Sequence, residues 1–347
     1  MAPVKNGRIL FNERPEDFPV PGQHTIYDDS ETIDLDSVPL NGGFLVKILV
    51  LSMDPYLRGK MRKVADLGDS FEIGKPLYNE GVAKVLRSEH PEVKAGDHIF
   101  CTLPFQHYTI LHSLKDTNGA RDVIVLHNKE NLPWSAYTGV VGMPGQTAYF
   151  GWKEYASPTK GEVAFVSGAA GPVGSFVVQL AKADGLKVIA SAGSDDKVEF
   201  VKSLGADYVF NYKKEDTAKV LEREGPINIY WDNVGGSTLD VALVNAARQA
   251  RFIECGMISG YNLAGGDIIR NLSRVVWREI KLFGFIVYSL FPKYAEQFYE
   301  EVPKLVKSGT IKYTEDKFIG LEQAGHAMEA VQRGTNKAKA VIIVAED

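Results

Sequence analysis

The sequence predicts an α/β protein built on a doubly wound parallel sheet, preceded by a largely β segment. From residue 134 onward, short apolar runs alternate with helical segments in units of about thirty residues. A glycine-rich turn at 168–174 stands between one such run and the helix that follows it. Residues 1–128 instead alternate short apolar runs with Gly, Pro and Asp, which is typical of a β domain.

Composition limits the class of protein before any motif is considered. The 347 residues are enough for two domains, and a hydrophobic fraction of 45% with 24% charged residues is ordinary for a globular enzyme. A net charge of -5 argues against a nucleic-acid-binding surface. The two cysteines, Cys101 and Cys255, exclude a disulfide framework and fit a reducing, cytoplasmic location. No signal peptide or membrane-length apolar segment is present, so no membrane association is expected.

The predicted elements follow from these patterns. In the first part of the chain, strands are expected at 44–51, 81–86 and 96–101. In the second part, the expected strands are 163–167, 187–192, 207–210, 227–231, 251–255 and 280–288, with helices at 175–183, 195–204, 237–248 and 294–307, the last broken or begun near Pro303. A helix at 321–332 and a strand at 338–344 end the chain, and periodicity leaves open whether they return to the β domain.

The glycine turn predicts a phosphate-binding site. Gly168, Gly171 and Gly174 follow a buried strand and open a helix, where backbone N–H groups and the helix N-terminus can hold a pyrophosphate. Their spacing is GxxGxxG rather than GxGxxG, so the placement between strand and helix carries the prediction. The alternative is a glycine-rich turn in an α/β protein that binds no nucleotide.

The end of the second strand favours NADP(H) over NAD(H). An Asp or Glu at this place normally binds the ribose 2′-hydroxyl, but here Gly193 and Ser194 leave room for a 2′-phosphate. Lys197 follows in the next turn, and Tyr212 follows the third strand with Lys213 beside it. The alternative is that residues 195–197 only form a solvated first helical turn.

Several ordered motifs carry a resemblance to a known family. They are MDPYLRG (53–59), GMPGQTAY (142–149), SGAAGPVGSFVVQLAK (167–182), AGSDDKVEFVKSLGAD (192–207), NYK (211–213), WDNVGG (231–236) and CGMISGYN (255–262). From about residue 40 to the C-terminus, the chain resembles the zinc-independent medium-chain dehydrogenase/reductases, in particular the alkenal/one oxidoreductase branch. The resemblance implies a GroES-like β domain formed by residues 1–129 and 311–347, and a Rossmann NADP-binding domain formed by 130–310.

The resemblance also implies site residues. It places the 2′-phosphate at Lys197 and Tyr212 with Ser194, a cofactor contact at Asn233, and the nicotinamide beside a loop at 255–261 and a strand at 285–287. The expected cofactor-binding residues are Gly168, Ala170, Gly171, Val173, Gly174, Gly193, Ser194, Lys197, Tyr212, Asn233, Cys255, Gly256, Ile258, Ser259, Tyr261, Phe285, Ile286, Val287 and Asn336. Two departures stand out: the family usually has alanine or glycine-alanine where this chain has Gly171-Pro172, and Asn336 lies in GTNKAK where the family has GDNLGK.

No metal site is expected. Zinc-dependent members of the family have a cysteine where this chain reads Leu51-Ser52-Met53-Asp54, and a histidine at the position of Asn79. A catalytic zinc needs about three N, S or O ligands plus an open position. Without a Lewis acid, alcohol oxidation loses its usual means of polarising oxygen, whereas conjugate reduction needs none.

The main functional hypothesis is NADPH-dependent reduction of the C=C bond of an α,β-unsaturated aldehyde or ketone. Tyr261 is the expected catalytic donor to the enolate oxygen, because an ordinary phenol is protonated at neutral pH. Tyr56 matches a tyrosine of the family's substrate pocket and is expected to share that role. The structural alternatives are that Tyr261 only packs in the cleft and that Tyr56 only caps an apolar cluster.

Two other functions stay open from the sequence. One is an NADPH quinone oxidoreductase of the ζ-crystallin type, which uses the same fold and cofactor. The other is a non-catalytic protein that binds NADPH, since fold does not fix function. A homodimer is expected by analogy with relatives that join sheet edges, with Ile280–Tyr288 as a candidate edge.

Overall fold

A computed structural model of the chain describes residues 2–65, 68–115, 122–263 and 265–347. Its contacts divide the chain into two compact units. Unit 1 comprises residues 1–139 and 315–347, and unit 2 comprises residues 140–314. The expected domain bounds at 129/130 and 310/311 stay a prediction. Among the described residues, no helix combines the length and apolar character needed to cross a membrane.

Unit 2 contains a six-stranded sheet in which every neighbouring pair is parallel. Its strands, in spatial order, are Tyr208–Asn211, Lys187–Ala192, Val163–Val166, Ile227–Asp232, Ala246–Glu254 and Lys281–Gly284. In chain order this is 3-2-1-4-5-6, so the direction of winding reverses between Val163–Val166 and Ile227–Asp232. Ligands of such sheets bind at this reversal, beyond the carboxyl ends of the strands. The predicted doubly wound fold is therefore confirmed.

Helices cover this sheet because their apolar residues face it. The α-helices of unit 2 are Met143–Gly151, Pro172–Ala183, Asp195–Ser203, Thr217–Glu224, Gly236–Val244, Arg274–Trp277 and Val287–Lys307, with a π-helix at Trp152–Ala156 and a 3₁₀ turn at Ile258–Gly260. Phe165, Tyr230 and Phe252 lie in the core, where the Phe165 and Tyr230 rings stack with centroids 5.0 Å apart. Burying such a side chain contributes about 1.5–3 kcal/mol.

Four element predictions in unit 2 are wrong. The strand expected at 280–288 ends at Gly284, and the helix expected at 294–307 begins at Val287. That helix continues through Pro292 and Pro303, because Phe298, Val302 and Val306 bury its apolar face despite the missing backbone donors. The strand expected at 251–255 begins at Ala246, since the helix before it ends at Val244.

Unit 1 is largely β, as its Gly- and Pro-punctuated sequence predicts. Its strands are Val4–Lys5, Arg8–Phe11, Thr25–Asp28, Thr32–Ile33, Phe44–Ser52, Tyr78–Ser88, His98–Pro104, Tyr108–Leu111, Ile124–Val125, Glu315–Ile319 and Lys339–Ile343. Its helices are Leu57–Lys60 and Ala324–Arg333, with 3₁₀ turns at Trp134–Thr138 and Leu321–Gln323. The strand Lys339–Ile343 pairs with Phe44–Ser52 inside a seven-stranded sheet, so the C-terminal tail does return to the β unit.

Candidate functional site

The glycine turn of unit 2 lies at the reversal point of the sheet. Gly168 has φ +58°, a backbone conformation that favours glycine, and directly follows the strand Val163–Val166 and Ser167. Gly174 lies so close to this turn that a Cβ would stand 2.7 Å from Ala169 Cα and 2.7 Å from Gly168 O. Gly171 caps the helix Pro172–Ala183, and Pro172 occupies its first position, where no backbone donor is lost from the ladder. The turn and the helix N-terminus thus lie at the sheet reversal, and the phosphate site stays a prediction.

A second group of predicted residues meets at the end of the neighbouring strand Lys187–Ala192. A Cβ at Gly193 would lie 2.8 Å from the Tyr212 hydroxyl oxygen, so the Tyr212 ring covers the Gly193 backbone. Ser194 is the exposed N-cap residue of Asp195–Ser203, and Lys197 lies half-buried in its first turn. Asp195 accepts from Asn211 Nδ2 at 2.9 Å and from Lys214 Nζ at 2.5 Å, which lowers the pKa of its carboxyl and compensates its charge.

Asn233 joins the glycine turn to the strand Ile227–Asp232. Its backbone N donates to Ser167 Oγ at 3.0 Å, and its Nδ2 donates to Ser167 O at 2.7 Å. Its Oδ1 accepts from Trp231 Nε1 at 3.2 Å. The Asn233 amide therefore stabilises the turn from one side, and a Cβ at Gly168 would lie 3.4 Å from Asn233 Cβ.

The loop that contains Tyr261 packs on the WDNVGG loop. Cys255 N and Gly256 N donate to Asp232 O at 3.0 and 3.1 Å, and a Cβ at Gly235 would stand 2.7 Å from Met257 Cβ. Tyr261 follows the turn Ile258–Gly260, and its hydroxyl oxygen accepts from Met257 N at 3.4 Å. The structure thus brings Gly256, Tyr261 and Asn233 together, because a Cβ at Gly256 would lie 3.1 Å from the Tyr261 hydroxyl and 3.9 Å from Asn233 O.

Burial raises the pKa of three titratable side chains in and next to this loop, so that they stay protonated. It raises the pKa of the Tyr261 phenol, so the hydroxyl keeps its hydrogen at neutral pH. Burial also raises the pKa of the Cys255 thiol to about 12, which leaves Cys255 a protonated thiol rather than a nucleophile. Burial, with the neighbouring Asp232 carboxylate as the second cause, raises the pKa of Glu254 to about 8.

The segment 285–287 differs from its prediction as a strand. Phe285 lies beyond the last strand residue, and its ring packs on Trp231 with centroids 5.9 Å apart. Ile286 is 44% exposed, and Val287 is the buried first residue of the helix Val287–Lys307. Asn336 belongs to unit 1, where its Nδ2 donates to Ala338 O at 2.6 Å within the turn after the helix Ala324–Arg333.

Tyr56 of unit 1 precedes the short helix Leu57–Lys60 and donates its hydroxyl hydrogen to Asn79 Oδ1. Asn79 in turn donates from Nδ2 to Ser52 O at 2.8 Å and to Asp54 Oδ2 at 3.0 Å. Lys339 Nζ donates to Asp54 Oδ1 at 2.7 Å, and both side chains of this ion pair are almost fully buried. A connected polar cluster therefore lies behind Tyr56.

Comparisons with known proteins agree with this geometry. A family model described as a zinc-binding dehydrogenase matches residues 172–307, and one described as an N-terminal domain of oxidoreductase matches residues 8–118. A zinc-type alcohol dehydrogenase-like protein of Schizosaccharomyces pombe is 40% identical over 99% of this chain and 100% of its own. The NADP(+)-dependent 2-alkenal reductase of Nicotiana tabacum is 39% identical over 99% of each chain. The crystal structure of CurA from Vibrio vulnificus in complex with NADPH has a TM-score of 0.87 and 28% identity, covering 98% of this chain and 100% of that one.

The chain belongs to the alkenal/one oxidoreductase branch of the zinc-independent medium-chain dehydrogenase/reductases. The predicted resemblance is confirmed. The Rossmann and GroES-like parts of this family correspond to the parallel sheet of unit 2 and to the β sheets of unit 1.

The description of the matching model raises the question of a zinc ion in this member of the branch. At the positions of the family's zinc ligands, the Lys339 ammonium donates to Ser52 Oγ at 2.7 Å, Met53 O at 2.8 Å and Asp54 Oδ1 at 2.7 Å. A cation already surrounded by these oxygens does not fit a second, divalent cation. Nor does any group of three His, Cys, Asp or Glu in the described part of the chain have the geometry to hold a metal ion.

Sequence reasoning missed two functional groups of this reductase fold. Asp232 Oδ1 accepts from Val234 N at 2.8 Å and Gly235 N at 2.9 Å, and so shapes the loop that carries Asn233. Its signal was an acid at the end of the apolar strand INIYWD. The other group is Asn79 with Lys339, and its signal was a lysine at the start of the apolar run KAVII.

Proposed function

We propose that the protein catalyses the NADPH-dependent reduction of the C=C bond of α,β-unsaturated aldehydes and ketones, without zinc. The observation that carries the proposal is the placement of a protonated Tyr261 on the loop that packs beside Asn233 and the glycine turn. The activity named for the tobacco relative, 2-alkenal reduction, supports the substrate class. The complex of the Vibrio neighbour supports the cofactor.

NADP(H) is assigned to the carboxyl edge of the unit 2 sheet. The glycine turn and the N-terminus of Pro172–Ala183 would hold the pyrophosphate, since Gly168 and Gly171 carry no side chain over the backbone of the turn. Gly193, Ser194, Lys197 and Tyr212 would hold the 2′-phosphate. The Asp195 carboxylate, two residues before Lys197, is compensated by its ion pair with Lys214. The residues of loop 255–261 and of segment 285–287 would face the nicotinamide.

Bound NADPH would supply a hydride, that is, one hydrogen nucleus with two electrons, to the electrophilic β-carbon of the substrate. The electron pair of the C=C bond then moves towards the carbonyl, and negative charge develops on its oxygen. A donor aimed at that oxygen stabilises the transition state more than the ground state. Tyr261 is assigned this task because burial keeps its phenol neutral and Met257 N anchors its oxygen on the loop. A proton supplied by water to the α-carbon completes the reduction.

Substrate kinetics with product analysis test this proposal. The protein is assayed for NADPH oxidation with an enal, an enone and a quinone, and the products are identified by mass spectrometry and NMR. We expect the saturated aldehyde and ketone, with NADPH preferred over NADH. Reduction of C=O rather than C=C, or turnover with the quinone alone, would contradict the proposal. Tight NADPH binding without turnover of any activated alkene would instead support a non-catalytic binding protein.

We further propose a homodimer formed through unit 2. Lys281–Gly284 is an edge strand of the parallel sheet, and exposed apolar side chains precede it, among them Val276 at 71% and Trp277 at 75% exposure. Exposed apolar patches of this kind mark interaction surfaces. Sedimentation analysis should give a dimer for the native protein and a monomer for a Val276→Lys, Trp277→Lys double variant. A native monomer at micromolar concentration would contradict this assembly.

A cytoplasmic location completes the proposal. Its support is that both cysteines, Cys101 and Cys255, are free thiols rather than a disulfide pair. Cell fractionation should find the protein with soluble cytoplasmic markers. Recovery in an oxidising compartment would contradict the assignment.

A further inference from the structure

The hydroxyl of Tyr56 is hydrogen-bonded to a buried polar cluster that no sequence pattern predicted. Three adjacent strands contribute to it: Ser52 ends one strand, Asn79 is the second residue of the next, and Lys339 begins the third. Their order in the sheet places Phe44–Ser52 between the other two strands. Ser52 is 1% exposed and Asn79 is 3% exposed. Together with Asp54, these residues form the Asn79 cluster.

The hydrogen bonds of the cluster fix the orientation of the Asn79 amide. Its Nδ2 donates to Ser52 O at 2.8 Å and to Asp54 Oδ2 at 3.0 Å. An amide rotated by half a turn would place Oδ1 against that carbonyl and that carboxylate, which are both acceptors. Oδ1 therefore faces Tyr56, and an oxygen of this kind can only accept. The single hydroxyl hydrogen of Tyr56 is consequently donated to Asn79.

The ion pair behind Asn79 makes this orientation rigid. Lys339 Nζ uses its three hydrogens on Ser52 Oγ, Met53 O and Asp54 Oδ1, at 2.7 to 2.8 Å. Ser52 Oγ donates to Asp54 Oδ2, so the Asp54 carboxylate is held on both oxygens. The side chains of Asp54 and Lys339 are 4% and 3% exposed. Water does not compete for these groups, and the cluster has one satisfied arrangement.

We propose that Asn79 is a positioning residue that fixes the Tyr56 hydroxyl through its locked amide. The inference rests on the proposed function and on the expectation from the sequence that Tyr56 belongs to the substrate pocket. With its hydrogen committed to Asn79, Tyr56 meets the substrate as a hydrogen-bond acceptor, for a bound water or a substrate hydroxyl. Tyr56 is therefore assigned no donation to the enolate oxygen, in contrast to the shared role expected from the sequence.

A double-mutant cycle between Asn79→Ala and Tyr56→Phe tests the inference. We expect each single variant to lower kcat for an enal by about tenfold, equivalent to about 1.4 kcal/mol, with the KM for NADPH unchanged. Because Asn79 acts through Tyr56, the double variant should lose no more than either single variant. Asn79→Ser provides a second test, since its small hydroxyl leaves room for a water to satisfy Asp54 but does not reach Tyr56.

The chain offers a matched control in the same unit. Asn128 Oδ1 also accepts from a tyrosine hydroxyl, that of Tyr137, at 3.1 Å. Asn128→Ala and Tyr137→Phe should leave kcat within about twofold of the native value, since neither residue belongs to the proposed site.

Each other outcome of the cycle has a definite meaning. Losses that multiply in the double variant would show that Asn79 acts independently of Tyr56 and would overturn the inference. Native kcat in Asn79→Ala or in Tyr56→Phe would overturn it as well. Loss of folding in both Asn79 variants, measured by circular dichroism and NADPH binding, would assign Asn79 to stability alone and equally overturn it. Failure of the proposed function is distinguishable, because the native protein would then reduce no activated alkene.

Discussion

The close packing of Gly174 on the glycine turn gives a prediction that the structure makes quantitative. Replacing Gly174 by alanine places a Cβ 2.7 Å from Ala169 Cα and 2.7 Å from Gly168 O. Ordinary van der Waals contacts begin at 3.4 Å, so both contacts are about 0.7 Å too short. Both neighbours are backbone atoms that cannot rotate away. The helix or the turn must therefore shift.

Two opposing effects decide how far Gly174→Ala changes the free energy of unfolding. Overpacking of this kind lowers the free energy of unfolding by about 1–3 kcal/mol. Alanine improves helix propensity over glycine by about 1 kcal/mol at most, and less near a helix end. The clash therefore outweighs the propensity, and we expect Gly174→Ala to be less stable than the native protein by about 1–2 kcal/mol. Displacement of the turn should also weaken NADPH binding, by about tenfold for each 1.4 kcal/mol of binding free energy that is lost.

Gly171 provides the matched comparison within the same turn. A Cβ there meets only Gly168 O, at an ordinary 3.4 Å, and its φ of -68° suits any residue. Thermal unfolding of the cofactor-free variants should show a fall of a few degrees for Gly174→Ala and a smaller fall for Gly171→Ala, whose cost is limited to about 1 kcal/mol of capping. Isothermal titration with NADPH completes the assay. A Gly174→Ala protein as stable as the native one, with unchanged NADPH affinity, would refute the close packing of helix and turn.

Three further outcomes are expected. Lys197→Ala should weaken NADPH binding about ten- to a hundredfold, because one charge-assisted phosphate bond is worth about 1.5–3 kcal/mol. The NADH affinity of this variant, and the NADPH affinity of the Lys202→Ala control on the same helix, should change little. Equal losses for both cofactors would remove Lys197 from the phosphate site. Tyr261→Phe should lower turnover with NADPH affinity nearly unchanged, and unaltered single-turnover hydride transfer would exclude Tyr261 from the mechanism. Glu254, with its pKa raised to about 8, binds a proton in the folded state that the unfolded chain has lost above its ordinary pKa of 4.5. The free energy of unfolding should therefore fall as pH rises between these values, by at most about 1.4 kcal/mol per pH unit. Glu254→Gln should remove this pH dependence, whereas Glu222→Gln, at an exposed position, should not. Equal slopes in the native protein and both variants would contradict the raised pKa.

The parts of the fold that sequence patterns predicted are those fixed by local periodicity. The strand Lys187–Ala192 coincides with its prediction, and the helix Pro172–Ala183 begins three residues early because Pro172 suits a first helical position. The apolar run 280–288 misled because a strand that ends at Gly284 and a helix that begins at Val287 are equally apolar. Pro303 pointed to a helix break that tertiary packing prevents, and the same helix also contains Pro292.

The residues of the candidate site likewise include some that sequence patterns could identify and some that they could not. Gly168, Gly193 and Tyr261 could be named because motif and resemblance place them at strand ends. Asn79 could be noted only as a missing zinc ligand, since its partner Ser52, and Lys339, which donates to Ser52, are far from it in the chain. Side-chain networks between distant segments have no periodic signature. Their members become visible only when the strand order is known.

The position of the strand Lys339–Ile343 also has a consequence for how the chain folds during synthesis. Unit 2 is a continuous segment, and all its strands are synthesised before the strand Lys339–Ile343. Unit 1 cannot complete its sheet before this strand is made, because the strand lies between Glu315–Ile319 and Phe44–Ser52. It also contains Lys339, whose ammonium neutralises the buried Asp54 carboxylate. A nascent chain that lacks Lys339–Ile343 would contain all the strands of unit 2, while the seven-stranded sheet of unit 1 would still lack an inner strand. Synthesis of Lys339–Ile343 is therefore the step that allows unit 1 to complete this sheet.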